Sequence, residues 1–417
     1  MNEAVIGSYA RPLGVRRNAA HVAHVRMPRD IRQVVAPVVE SRRARAACVL
    51  PLLFGRQRVL ASVGGGHPFR KSDPVPPAHP PSRHVVPAEP DMTRGRDVVL
   101  RTQLAELRSF VQYSLVGQRT RFMFAPNLED AHDFASRASL FQKGVEQALD
   151  ILAEQIRPAA EQAQIAFDVV LTTTSTGNLM PGISYRLARR LGKLLKPEVM
   201  MIDLGNVGCT GSLKALNLAR ALNESFKNIL LVAIELPTTL LDMTSERIDI
   251  WQGNCTFGDG AAALWISNQR EQGDTALALE DLHYQQQAES GLDLIRWDYR
   301  RYYTFALAEE ATFNRDVRDF VTRALQHTEA GWKDEPRWAI HPAGISLLVR
   351  LGRKLGIPQE ALQPSIEHYR RYSNMSSASI LHILKEVAAT TPARAAINLL
   401  SMGAGFNVIY GRVRKEI

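Results

Sequence analysis

The chain of 417 residues is 45% hydrophobic and 22% charged, a globular composition in a chain longer than one hydrophobic core ordinarily serves, so two domains or two halves of similar build are expected. Only Cys48, Cys209 and Cys255 are present, which excludes a disulfide framework and points to a reducing compartment such as the cytoplasm; no apolar run reaches the roughly 20 residues of a membrane span. The net charge of +9 is not a nucleic-acid footprint, because residues 1–58 carry eleven Arg and no Lys against Glu3, Asp30 and Glu40 and hold nearly all of the surplus.

In chain order, residues 1–58 scatter their arginines among Ala, Val and Pro without helical period, and are expected to form a disordered extension. A targeting segment, a partner-binding arm and a start assigned too far upstream are the alternatives. Val59–Val63 reads as the first strand, and the seven prolines between Ser72 and Pro90 as a linker. Helices are expected at Leu104–Leu115 and Ala131–Ile156. A strand at Phe167–Leu171 ends in Thr172 to Ser175, and Pro181 is placed to open a helix through Leu191. Val199–Leu204, bounded by Pro197, is a strand; Leu213, Leu216, Ala219 and Leu222 then recur at helical spacing, and Ile229–Ile234 is a second apolar run. Strand, helix and strand in one sheet imply parallel strands with a right-handed crossover. After Glu235, Arg247, Trp251 and Cys255 read as loop, followed by a strand at Ala261–Ser267. Little is legible from there to a helix expected over Thr304–Thr328. A short strand ends at His341, helices follow at Ile345–Leu355 and Met375–Val387, and Phe406–Arg412 is the last strand. The halves are expected at 59–270 and 271–417.

Cys209 falls where a strand hands over to a helix. Unpaired N–H groups and the positive end of the helix dipole there lower a cysteine pKa from about 8.5 into the range of roughly 3.5 to 7.5. A buried small residue at a tight turn is the plain alternative. His341, at a strand end in the second half, reads alone as a hydrogen-bonded core histidine, and Asn374 as a helix N-cap. Together, Cys209, His341 and Asn374 supply a nucleophile, a proton acceptor and an amide donor at three element junctions.

Five stretches in register resemble the thiolase-fold condensing enzymes, and within them the type III polyketide synthases of the chalcone synthase group. These are TTTSTGNLMPGISY at 172–185, VGCTGSLKALNLA around Cys209, FGDGAAAL at 257–264, WAIHPAG at 338–344 and YSNMSSASIL at 372–381. The related ketoacyl synthase III enzymes share the Cys, His and Asn residues, but HPAG and NMSS lie closer to the polyketide group. The resemblance implies an α/β/α/β/α layered fold of two similar halves and a homodimer in which Met180 reaches into the partner subunit. Cys209 would take an acyl group from a thioester, and His341 could hold it as thiolate before loading. His341 and Asn374 would hold the carbonyl of a malonyl extender as it loses carbon dioxide. Phe257 resembles the aromatic that narrows the pocket entrance, and Thr174, Ser175 and Ser376 match pocket positions. No metal and no permanently bound cofactor is implied. The substrates would be malonyl-CoA with acyl-CoA or acyl carrier protein thioesters, and a non-decarboxylating acyltransferase on the same fold is the alternative. Of the basic residues that grip coenzyme A phosphates in plant members, Arg108 is matched, while two positions become Val111 and Leu115. A carrier protein could meet Arg108, Arg119 and Arg121 instead.

Overall fold

The computed structural model describes residues 23–26 and 131–416, apart from 246, 270–275, 288–290, 300, 327–331 and 333–334. Helix α1 (Phe134–Gln162) starts on a capping box, in which Asp133 accepts the Ser136 N–H at 2.7 Å and Ser136 reaches back to the Asp133 backbone. Strand β2 (Phe167–Thr174) follows, then α2 (Ile183–Leu191), β3 (Leu195–Gly205), α3 (Gly211–Leu222), β4 (Asn228–Glu235), α4 (Ile248–Thr256) and β5 (Gly260–Ser267). The remainder is β6 (Ala276–Gln286), a β7 (Ile295–Tyr299) and β8 (Tyr303–Leu307) hairpin, α5 (Glu310–Gln326), β9 (Trp338–Ile340), α6 (Ile345–Leu355), α7 (Gln359–Tyr372), α8 (Ala378–Thr390), β10 (Ala396–Gly403) and β11 (Asn407–Lys415).

Alternation along the strands builds the layers. In β2 and β4, Val169, Leu171, Ile229 and Leu231 face a core shared with Leu213 and Leu216 of α3 and with Ile380, Leu381 and Leu384 of α8. The intervening Val170, Leu230 and Val232 face Val145, Leu149 and Leu152 of α1 and Leu187 of α2. In the second half, Leu399 of β10 and Ile409 of β11 join the first core. Leu400 and Val408 turn outward to α5, α6 and α7. The order is therefore helix, sheet, paired central helices, sheet, helix, the thiolase-like five-layered arrangement. With β1 at Ala23–Arg26, hydrogen bonding joins the strands as β3-β2-β4-β5-β1-β6-β11-β10-β9. In each half a parallel pair, β2 with β4 and β9 with β10, is extended by an antiparallel strand, β5 or β11.

The central position is held by β1 (Ala23–Arg26), antiparallel to both β5 and β6. This corrects the reading of residues 1–58 as an extension outside the fold, since this short β-branched and polar run supplies the strand that bridges the halves. Val59–Val63 and Leu104–Leu115 lie outside the described residues. Further corrections are local. Pro181 precedes α2 instead of opening it, with Gly182 at the N-cap. Pro197 lies inside β3, which tolerates proline because it is an edge strand. β3 and β4 are parallel as expected, but β2 pairs with both and lies between them. Residues 248–256 form helix α4, and residues 303–307 form strand β8 ahead of α5.

Candidate active site

Both central helices begin at one place. Cys209 lies in the single 3-10 turn Gly208–Thr210 that leads into α3, and Asn374 lies three residues before Ser377, the N-cap of α8. The counterpart of Cys209 across the halves is therefore Asn374, whereas His341, at the end of β9, corresponds to Ser175 at the end of β2. Ser212 Oγ of α3 donates to the Ser377 carbonyl at 2.6 Å, tying the two helix starts together. Strand β10 brings in the histidine: the His341 N–H donates to the Leu400 carbonyl at 2.8 Å, and the next residue, Ser401, donates its Oγ proton to the Cys209 carbonyl at 3.0 Å. Gly208 turns the chain at φ +66°, and a Cβ there would lie 2.9 Å from the Ala404 nitrogen. Only glycine meets both demands.

Asn374 is held by three groups. Its N–H donates to the Thr256 carbonyl at 3.0 Å and its carbonyl accepts from Gly258 N–H at 3.1 Å, beside Phe257. Its side-chain Oδ1 accepts the Ser376 N–H at 2.8 Å. With the oxygen engaged, the amide NH2 faces Cys209, and both Asn374 and Ser376 hydrogen-bond the sulfur. Burial pushes the Cys209 thiol up to about 12; the Glu235 carboxylate adds to the rise, and the Ser376 and Asn374 hydrogen bonds oppose it. Burial likewise depresses His341 to about 3, and neither of its ring nitrogens has a hydrogen-bond partner among the described residues. This corrects the expectation that the helix start lowers the thiol and that His341 holds it as thiolate. Desolvation works against the charged form of both groups and opposes the helix dipole at Cys209. A buried imidazole with two unpartnered nitrogens is costly to leave alone and is set to receive a ligand oxygen or the thiol proton.

A cavity of about 440 Å³ opens above the sulfur, lined by Ser175, Ser376, Phe257 and Phe305, and by Ile295, Trp297 and Tyr299 of the β7 and β8 hairpin. Phe257 stacks on Phe305 with centroids 4.4 Å apart. Of the residues expected in the pocket, Ser175, Ser376 and Phe257 line this cavity. Thr174 turns away from it, toward Thr176 Oγ1 at 3.1 Å and Glu235 Oε2 at 3.5 Å. Met180 is 94% exposed and away from this cavity. Arg108 lies outside the described residues, as do Val111, Leu115, Arg119 and Arg121.

The sequence reading missed Glu235 and the hairpin aromatics. Glu235 is fully buried at the end of β4. It accepts from Ser175 N–H at 2.9 Å and from the N–H and hydroxyl of Ser377, and burial still pushes its carboxyl up to about 7. A carboxylate closing an otherwise apolar strand was the available signal. Trp297 and Tyr299 fall in the stretch whose pattern carries no period.

Residues 118–269 match the profile of the N-terminal domain of chalcone and stilbene synthases, and residues 304–410 that of the C-terminal domain. The chain belongs to the chalcone and stilbene synthase family. It is a type III polyketide synthase, a transferase that extends an acyl group by decarboxylative condensation. Among solved structures, it is similar to 1,3,6,8-tetrahydroxynaphthalene synthase from Streptomyces coelicolor A3(2), with TM-score 0.67 and 21% identity over 76% of this chain and 90% of that one. The type III polyketide synthase domain of Steely1 from Dictyostelium gives 0.65 and 19% over 75% and 90%. CsyB complexed with CoA-SH gives 0.62 and 21% over 75% and 91%. At these identities the structures bear on the fold. Among the described residues no helix is long and apolar enough to cross a membrane.

Proposed function

We propose that this synthase carries its growing acyl chain on Cys209 and forms its extender enolate against His341 and Asn374. The support for the assignment is the placement of a thiol on the cavity wall at one helix start, an amide that hydrogen-bonds it at the other, and, after β9, a buried imidazole with no nitrogen partner among the described residues. In loading, Cys209 passes its proton to His341 and attacks the starter thioester carbonyl, expelling the carrier thiol. The malonyl thioester then enters with its carbonyl oxygen on the Asn374 amide and an N–H of His341. Loss of carbon dioxide leaves the electron pair as an enolate, whose charge these donors stabilise by on the order of 3 kcal/mol each in a water-poor site. The enolate carbon attacks the acyl carbonyl, the new carbon–carbon bond forms, and the Cys209 thiolate departs. Phe257, Phe305 and Ser376 shape the space in which this occurs.

The substrates in this reading are malonyl-CoA and an acyl thioester of coenzyme A or of an acyl carrier protein. Arg296 is exposed on the cavity lining, where it can meet the phosphate that both carriers bear on their pantetheine arm. A homodimer with exposed Met180 at the subunit contact, acting in the reducing cytoplasm where Cys209 and Cys255 stay out of disulfides, completes the proposal. Asn374→Ala tests it: the variant should still load an acyl group on Cys209, read by intact mass, yet release carbon dioxide from malonyl-CoA roughly 100-fold more slowly. Unchanged release would refute the role of Asn374, and acyl loading that survives Cys209→Ala would refute the nucleophile.

A further inference from the structure

Behind the site lies a buried polar group that the reaction above does not use. His368, on α7, is fully buried, and its Nδ1 has no partner among the described residues. Its Nε2 lies 3.2 Å from Ser379 Oγ, and that oxygen accepts the Met375 N–H at 2.8 Å. Met375 follows Asn374 directly, so the peptide plane between them is clamped at both ends. Its carbonyl accepts from Gly258 N–H at 3.1 Å and its N–H donates to Ser379. That plane sets the backbone torsion from which the Asn374 side chain projects.

The clamp has strain to resist. Ser373 and Ser376, on either side, have φ of +64° and +48°, conformations that persist only where their surroundings hold them. A serine in the first turn of a helix can also turn its hydroxyl to the carbonyl four residues back, here that of Met375, and then no longer receives the Met375 N–H squarely. His368 fixes the hydroxyl against that alternative. A leucine would fill the space beside the Tyr372 and His382 rings without burying a nitrogen that has no partner among the described residues, so packing alone gives no reason for an imidazole here.

We propose that His368 and Ser379 are positioning residues for the enolate-forming step. They hold the Asn374–Met375 peptide so that the Asn374 amide points at the extender carbonyl. The inference rests on the role given to Asn374 above. The test measures carbon dioxide release from malonyl-CoA and acyl loading of Cys209 in the full chain and in His368→Leu, His368→Gln, Ser379→Ala and the His368→Leu/Ser379→Ala double variant. In His368→Leu, kcat for release should fall about tenfold or more, the scale of a loosened buried donor, while KM and acyl loading stay within about twofold. Glutamine places a polar group at the reach of Nε2 and should restore release to within about threefold. Ser379→Ala should match His368→Leu, and the double variant should be no worse than either, because the two act as one chain. Unchanged release in both single variants overturns the proposal, as does a parallel loss of acyl loading, which would mark a general structural role. If His368→Leu does not fold, Ser379→Ala carries the test. Asn374→Ala run alongside separates the two ideas: normal release in that variant sinks the reading of Asn374, whereas normal release in Ser379→Ala with a failing Asn374→Ala sinks only the clamp.

Discussion

Ser373 gives the most direct measure of how the Asn374 turn is held. It ends α7 at φ +64° and ψ −162°, a region that is essentially glycine's alone and that costs a residue with a Cβ on the order of 1 to 3 kcal/mol. The residue is fully buried, and its N–H donates to the Tyr369 carbonyl at 2.8 Å, so the chain cannot relax without breaking the end of the helix. Ser373→Gly removes the strain, and against that gain stands about 0.4 to 1 kcal/mol from the freer unfolded chain. The expected net effect is a stabilisation of about 0.5 to 2 kcal/mol, read as a higher urea midpoint at unchanged slope. Ser373→Ala, which keeps the Cβ, should show no such gain. Carbon dioxide release should persist in the glycine variant, because Thr256, Gly258 and Ser379 still anchor the turn. A glycine variant less stable than the alanine one would refute the strain argument.

Three further outcomes follow from the site and the sheet. With the Cys209 thiol pushed up to about 12, its alkylation by iodoacetamide should rise about tenfold per pH unit up to pH 9 or beyond; a plateau below pH 7 would show that a thiolate and imidazolium pair forms instead. Glu235, raised from 4.5 to about 7, binds its proton more tightly folded than unfolded. It therefore contributes stability that is full below about pH 4.5 and is lost as pH rises through about 7, on the order of 3 kcal/mol in all. Glu235→Gln should flatten that slope, and an identical slope in both proteins would contradict it. Deleting residues 1–55 removes β1 and should lower the melting temperature sharply, since β5 and β6 each lose a hydrogen-bonded neighbour; an unchanged melting curve would show that the strand does not bridge the halves.

What could be read from the sequence was whatever leaves a pattern on one face or a run on two. Helix α6 matched to the residue because Leu347, Leu348, Leu351 and Leu355 repeat at helical spacing on its buried side and Gly356 closes it at φ +72°. Strands β2, β4 and β5 were legible because both of their faces are covered, which demands unbroken apolar runs. Helix α4 was not. Gln252 and Asn254 are buried beside Trp251 and Cys255, so no polar face alternates with an apolar one. β10 was missed for a related reason: Asn398 and Ser401 are buried within it, their polarity absorbed by the Trp332 and Cys209 carbonyls. Cys209, His341 and Asn374 stood out as residue types at junctions, but their charge states depend on burial from both halves and left no trace in the spacing.

The two halves explain why the site divides its labour as it does. Each offers a helix start in the central layer, and a helix start favours negative charge. In the proposed cycle the first half uses that position for Cys209, where negative charge develops on sulfur, and the second for Asn374, beside the oxygen of an enolate. The two charges never coexist in the cycle proposed here, since the enolate is consumed as the thiolate is released. Glu235 is the exception, a carboxylate placed between them and hydrogen-bonded to the backbone of both Ser175 and Ser377. Burial and, after it, this carboxylate raise the Cys209 thiol, so in the proposed cycle the loading step is where a proton acceptor such as His341 is needed. On that view the His341 nitrogens, without a partner among the described residues, and a thiol that burial disfavours as thiolate serve the same step.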